Sequence, residues 1–239
     1  MLNLALSSVS DLLENIEIAG EPLVERFGGL VFPINLPESI GQTDSGQPIM
    51  RDKIVPVACG VTYEQCMSGS KKYQPIVPNS AFKSILYFEQ LGDATVNTGE
   101  QQFAPKFGLV VYDIPVRLVF WGNMAKMNIN GTGASECSLV APVALKIQQT
   151  LRPKKQFEIP DPAYQKASVE FVFQGQEQKD ATKIFGRYSY GNELAKFMLF
   201  PWDFFSLKYL VRLRINRNCV EDFTFGTPNN CPLIPISES

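Results

Sequence analysis

The sequence contains no histidine. That removes the commonest general base and the commonest metal ligand. Serine–histidine and cysteine–histidine nucleophile pairs cannot be built within the chain, and zinc sites that need imidazole are excluded. Carboxylate or lysine chemistry stays open. Charge is also scarce: charged residues make up 19% of the 239, with 22 Lys+Arg against 24 Asp+Glu for a net charge of −2. A phosphate-binding surface usually carries a basic excess, so nucleic acid is not expected as the main ligand. No segment approaches the roughly 20 apolar residues of a membrane span. The first residues lack a basic stretch followed by a long apolar run, so a secretory signal is not expected either.

Other absences narrow the chemistry further. The five cysteines, Cys59, Cys66, Cys137, Cys219 and Cys231, are odd in number and form no CxxC pair, which excludes a zinc ribbon. Cys137 and Cys219 sit in apolar-patterned segments and read as small core residues. A Cys219–Cys231 bridge is neither shown nor excluded by the sequence. The pattern suits a reducing, cytosolic place of synthesis. There is no GxxxxGK[ST] phosphate loop, and Gly131-Thr132-Gly133 lacks the rest of a dinucleotide fingerprint. Glu221 and Asp222 are adjacent, so on a strand they would point to opposite faces, poor geometry for a shared acid–base task. No cofactor and no metal are implied, and catalysis is not expected.

What the sequence does hold is apolar and aromatic. Hydrophobic residues make up 45%, with 17 Phe, 8 Tyr and 2 Trp. Such side chains serve a large core or the centre of an interface equally well. Residues 1–18 read as an amphipathic helix with Ser8 as N-cap and Val9, Leu12, Leu13 and Ile16 on its apolar side. Residues 27–36 and 53–63 read as strands, with Pro33 and Pro37 marking an edge or a strand end; 37–52 reads as a polar connection. Residues 82–91 fit strand or helix. The stretch 107–121 is a nearly continuous apolar run, as a strand buried on both faces would be. A second helix is expected over 135–151, capped by Ser135, with Cys137, Val140, Ala141, Ala144, Leu145 and Leu151 along one side. Residues 156–163 read as a linker, 167–173 alternate as a strand, and a helix is expected over 192–199. The last strand has Leu207, Tyr209, Val211, Leu213 and Ile215 on one face and Lys208, Leu210, Arg212, Arg214 and Asn216 on the other. These elements predict one α+β domain over 1–239. It would have a mainly antiparallel β-sheet flanked by two main helices, long loops and an extended tail from about 222 to 239.

Two features stand out as candidate interface residues. The aromatic corner Phe200-Pro201-Trp202-Asp203-Phe204-Phe205 offers Phe200, Trp202 and Phe204, either as anchors on a partner or as the core corner that fixes the last strand's entry. Arg212, Arg214 and Arg217 would pair with acidic groups of a neighbouring subunit or of their own sheet.

The layout of an N-terminal helix, strands, the Val116-Arg117-Leu118-Val119-Phe120-Trp121 strand, a second helix and a final strand resembles tail-terminator and neck proteins of tailed bacteriophages. Tyr87-Phe88-Glu89, and the aromatic corner followed by Leu207–Ile215, are similar to virion proteins of phages infecting Bacteroidetes-type hosts. The chain is longer than a typical terminator, which points to inserted loops at 37–52 and 92–105. The resemblance implies a virion subunit, assembled in the host cytoplasm, that forms a closed ring at the head–tail joint or tail end. Its partners would be copies of itself and neighbouring virion proteins, and heterologous contacts would repeat until they close. A carbohydrate- or ligand-binding β-rich module is the alternative, separable by solution mass.

Overall fold

The computed structural model describes residues 2–18, 20–58, 76, 78, 80–97, 109–127, 140–152, 156–159, 167–177, 179–189, 196, 199 and 201–216. In chain order the described elements are α1 (Leu2–Glu14), β1 (Glu17–Ile18), β2 (Glu21–Pro22), β3 (Arg26–Gln42), β4 (Pro48–Ala58), β5 (Ser84–Gln90), β6 (Thr95–Asn97) and β7 (Leu109–Asn123). They continue with α2 (Val140–Thr150), β8 (Gln156–Glu158), β9 (Ser168–Gln176), α3 (Ala181–Phe185) and β10 (Trp202–Asn216). The class is α+β, dominated by one eight-stranded sheet in the order β4-β3-β5-β7-β10-β9-β8, with β6 joined to β7 alone. The sheet is mixed, because β3 and β5 run parallel while the other pairs are antiparallel. Among the described residues three helices accompany it, where the sequence suggested two main ones.

The centre of the sheet is the β7–β10 pair. Both strands are 15 residues long and pair without a break from Trp202↔Asn123 to Asn216↔Leu109. Alternation explains the register. Ile114, Val116, Leu118 and Phe120 lie on the same face as Phe205, Leu207, Tyr209, Val211 and Leu213, and a slip of one residue would turn every one of them to the other side. This face carries α1 and α2. The α1 face that docks is Leu2, Ala5, Leu6, Val9 and Leu13; α2 contributes Val143, Ala144 and Ile147, followed by Leu151. Phe171 lies at the middle of an aromatic group with Phe88 at 6.1 Å, Phe157 at 5.9 Å and Tyr209 at 6.2 Å. Full burial of such a side chain contributes roughly 1.5–3 kcal/mol.

Several sequence expectations are revised by these contacts. Ser8 is not an N-cap: it lies inside α1 and returns its hydroxyl to the Ala5 carbonyl at 2.7 Å. Val9, Leu13 and Ile16 are buried as expected, but Leu12 points outward, and Leu2, Ala5 and Leu6 complete the buried side. The apolar side of α2 is likewise turned: Leu145 is exposed and Val143 and Ile147 are buried. Ser135, Cys137 and most of the helix expected over 192–199 lie outside the described residues, as does the tail from 222. Residues 82–91 resolve as strand, and Gln156–Glu158 pairs with β9 instead of serving only as a linker.

The largest revision concerns 37–52. Most of it is not loop but the distal part of a β-hairpin, β3 with β4, turned at 43–47. Gly46 N–H closes the turn on the Thr43 carbonyl at 2.8 Å, the Thr43 hydroxyl accepts Gln47 N–H at 3.1 Å, and Gly46 sits at φ +79°, where a side chain would be strained. Prolines fit this ribbon because of register. Pro33 faces Pro56, so neither residue can donate across that rung, and Pro56 turns its carbonyl outward to Ile76 N–H at 3.0 Å. Two residues back, Ile54 turns its carbonyl outward to Ser189 N–H at 2.8 Å. The same alternation places Pro37 opposite Asp52 at another non-hydrogen-bonded rung. A bulge at Ile40 then adds one residue to β3.

Candidate functional site

Beyond Gln90 the sheet divides. β5 pairs with β3 only as far as Val31↔Glu89, and the next strand, β6, pairs with β7. From there β3 and β4 leave the other strands. Ile76 and Ser189 still bond the Pro56 and Ile54 carbonyls, and Val55 and Val57 are buried. Among the described residues the ribbon runs on as a two-stranded arm past Asp52, while β7, β10 and β9 continue together. Residues 39–52 of the arm are all exposed, including the apolar Ile40, Ile49 and Met50. An isolated two-stranded ribbon is marginally stable in water, so an apolar one is a surface waiting for cover. Between Ser39 and Met50 the only charged residue is Asp44.

The other prong carries a row of apolar side chains. On the side away from α1 and α2, Leu210 of β10 stands opposite Pro115 of β7 and Val172 of β9. Leu91, one residue past β5, donates its amide to the Pro115 carbonyl at 2.9 Å and extends the row by the alternation of β5. Leu91 is exposed and the other three are half-buried. Charged rows flank the stripe. On one side Arg212 grips Asp113 with two bonds, 2.8 and 3.2 Å, and Arg214 reaches Glu170 at 2.6 Å. The hydrogen bond to Asp113 raises the Arg212 pKa, against a smaller opposing effect of burial. Across the stripe lies Lys208, 2.8 Å from Glu177.

Behind Lys208 a buried charge cluster holds α3 onto the sheet. Arg117 donates Nε to Glu89 at 2.5 Å, Nη1 to the Lys183 carbonyl at 2.9 Å and Nη2 to the Ile184 carbonyl at 3.0 Å. It thereby satisfies carbonyls at the end of α3, whose first turn is capped by Asp180. Tyr188 donates its hydroxyl to Glu89, and Ser206 donates to Glu177. Burial, then the Glu89 charge and hydrogen bond, push the Tyr188 phenol well above its ordinary value, so it stays a donor. For Glu177, burial pushes upward but is outweighed by the Lys208 and Ser206 hydrogen bonds and the Arg117 charge, and the carboxyl is lowered. Burial pulls the Arg117 pKa down, but the Glu89 charge and hydrogen bond, with the Glu177 charge, together outweigh burial and raise it. Each polar side chain here spends its bonding capacity on another or on α3, which makes the cluster a fastening. Among the described residues no group of three or more Cys, Asp or Glu could hold a metal ion.

The aromatic corner divides between core and rim. Phe204 is 3% exposed, packed edge-on to Phe185 at 5.4 Å with Lys179 Nζ over its ring, so it offers no ring face to a partner. Trp202 opens β10, half-buried, with its amide bonded to the Leu199 carbonyl at 3.0 Å. Arg212 and Arg214 are paired within their own sheet. Phe200 and Arg217 lie outside the described residues. The arm, the Leu91–Val172 stripe and the Arg117 cluster were not among the residues singled out from sequence. One signal for the cluster was available: Glu89 and Arg117 each interrupt a run of apolar strand residues, and two opposite charges inside buried strands call for each other.

No known protein family matches the chain, and neither a curated protein nor a solved structure is similar to it at a significant level.

Proposed function

We propose that the chain is a non-catalytic structural subunit of a phage virion. In this reading it forms a ring at the neck or tail end, as a tail terminator or head–tail connector, with copies of itself and neighbouring virion proteins. The observation that carries the reading is the arm. Residues 39–52 form an ordered hairpin with a built turn, yet expose Ile40, Ile49 and Met50 away from the body. A lone two-stranded ribbon is marginally stable in water and gains stability when its apolar residues are covered, as a neighbouring subunit would do. The charge cluster supports the same reading, since its groups hold α3 and the sheet to each other. A sheet fastened in this way is a rigid platform for repeated contacts. The resemblance of the Val116–Trp121 and Leu207–Ile215 strands to phage neck and tail proteins supplies the virion setting.

The test is negative-stain microscopy with light scattering on the purified full chain. Closed rings, or incorporation into a ring with a neighbouring virion protein, are expected. A particle that stays monomeric at high concentration, joins no virion protein and saturably binds a glycan or small molecule would move the assignment to a binding module.

A further inference from the structure

The geometry points to the Leu91–Pro115–Leu210–Val172 stripe as the docking site of an acidic segment of a neighbouring protein, one that carries apolar side chains between its carboxylates. This deepens the subunit reading above by naming a partner's chemistry, and rests on that reading only for the partner being a virion protein. The stripe runs across the sheet through β5's extension, β7, β10 and β9. Strands lie roughly 4.8 Å apart, so it is about 14 Å long. Same-face positions along a strand are about 7 Å apart, which sets Lys208 and Arg212 on either side of Leu210. Arg117, two residues beyond Pro115 on the same face, holds the Lys183 and Ile184 carbonyls, so α3 stands beside the stripe.

The ion pairs around the stripe share one orientation: the carboxylate lies beneath and the cation outermost. The Lys208 side chain is 46% exposed against 13% for Glu177, and Arg212 34% against 15% for Asp113. Arg214 over Glu170 and Arg187 over the fully buried Glu89 keep the same order. The greater length of lysine and arginine is not the whole cause, because the pair Lys83–Glu21 reverses it, with 22% for the lysine and 59% for the glutamate. Pairs that are neutral in sum therefore turn positive ends to solvent over this face, in a chain of net charge −2. An acidic protein segment fits such a surface better than nucleic acid does. Phosphate affinity scales with the cations free to neutralise it, and these are already shared with carboxylates. A phosphate backbone would also leave the apolar stripe uncovered. A segment with apolar side chains between carboxylates covers the stripe and meets Lys208 and Arg212 at its borders.

The test titrates the purified full chain into a short fluorescein-labelled peptide of glutamates with leucines between them, read by anisotropy. Saturable binding is expected, at least about tenfold weaker when the leucines become serine. A peptide with lysine for glutamate should bind more weakly still. Leu210→Asp should weaken binding at least about 30-fold, the size of a hot-spot loss. Leu91→Asp, at an exposed position beyond the strand, replaces it if circular dichroism shows that Leu210→Asp does not fold. Lys208→Gln should cost roughly threefold and flatten the salt dependence. Equal binding of the lysine peptide, preference for a single-stranded DNA of equal charge, or wild-type affinity in the folded stripe variants would overturn the proposal. So would a Leu91→Asp chain that loses self-association while the wild type binds no peptide, which would give the stripe to a second copy. Light scattering reads the ring separately. Rings without peptide binding remove this inference and leave the subunit reading; peptide binding by a chain that forms and enters no ring does the reverse.

Discussion

The β7–β10 pair and the β3–β4 pair are the two long antiparallel ladders of this molecule, and they are specified in opposite ways. In β7–β10 the register is set by side chains: an apolar face packs under α1 and α2, and almost any shift would expose it. In the distal half of β3–β4 nothing is buried to set it. There the register comes from the backbone, through a turn fixed by Thr43 and Gly46 and prolines admitted only at rungs that need no donor. A ladder of the first kind takes its register and its stability from the core; one of the second kind takes its register from turn and prolines and has no core to stabilise it.

The contrast can be broken most forcefully at the fastening of the body. Arg117→Met removes the buried cation from the fully buried Glu89, leaving it Tyr188 and the more distant Arg187 at 3.7 Å, and frees the Lys183 and Ile184 carbonyls. Urea unfolding should show a loss of about 3–5 kcal/mol. A loss below 1 kcal/mol would mean that water or a neighbour already satisfies these groups. Next in size is Glu177→Gln. The lowered carboxyl contributes stability that is fully present above the ordinary glutamate value near 4.5 and disappears as pH falls through its folded pKa. The variant should lose on the order of 1 kcal/mol at pH 7, and the gap from the parent should close as the pH is taken below 4.5. A gap that stays constant down to acid pH would rule out this ionic origin.

Within the arm the effects should be local. Gly46→Ala places a side chain at φ +79°, a cost of about 1–2 kcal/mol to the hairpin turn. Hydrogen exchange of the arm amides should accelerate roughly tenfold while the melting temperature of the monomer stays unchanged. The smallest effect is expected from Ile49→Ser, within about 0.5 kcal/mol of the parent in monomer stability. A larger destabilisation would show that the arm tip packs on its own body.

These comparisons also explain what was legible. The alternation of Val169, Phe171 and Phe173, and of Leu207 through Ile215, reads directly as strand because burial writes itself into sequence with period two. The arm hid because Pro37, Gly41, Asp44, Ser45, Gly46 and Pro48 are all turn-forming residue types, and only the pairing partner shows which of them turn and which extend. The Leu91–Pro115–Leu210–Val172 stripe was hidden for another reason. Its members are scattered over four segments and meet only through the register of neighbouring strands. The helices Leu2–Glu14 and Val140–Thr150 lie within the spans expected over 1–18 and 135–151 but are rotated, since Leu12 and Leu145 fit a helical period as well as Leu6 and Ile147 do, and α3 was not anticipated. Tertiary packing alone distinguishes the two sides.

The position of β10 has a consequence for synthesis. It lies between β7 and β9, and without it the sheet is two separate pieces, β4-β3-β5-β7 and β9-β8. As the last described strand to be translated, it must insert after both its flanks exist, joining Arg212 to Asp113 across 99 residues. A nascent chain therefore carries the finished β3–β4 hairpin long before the strand that joins the two pieces of the sheet has been made.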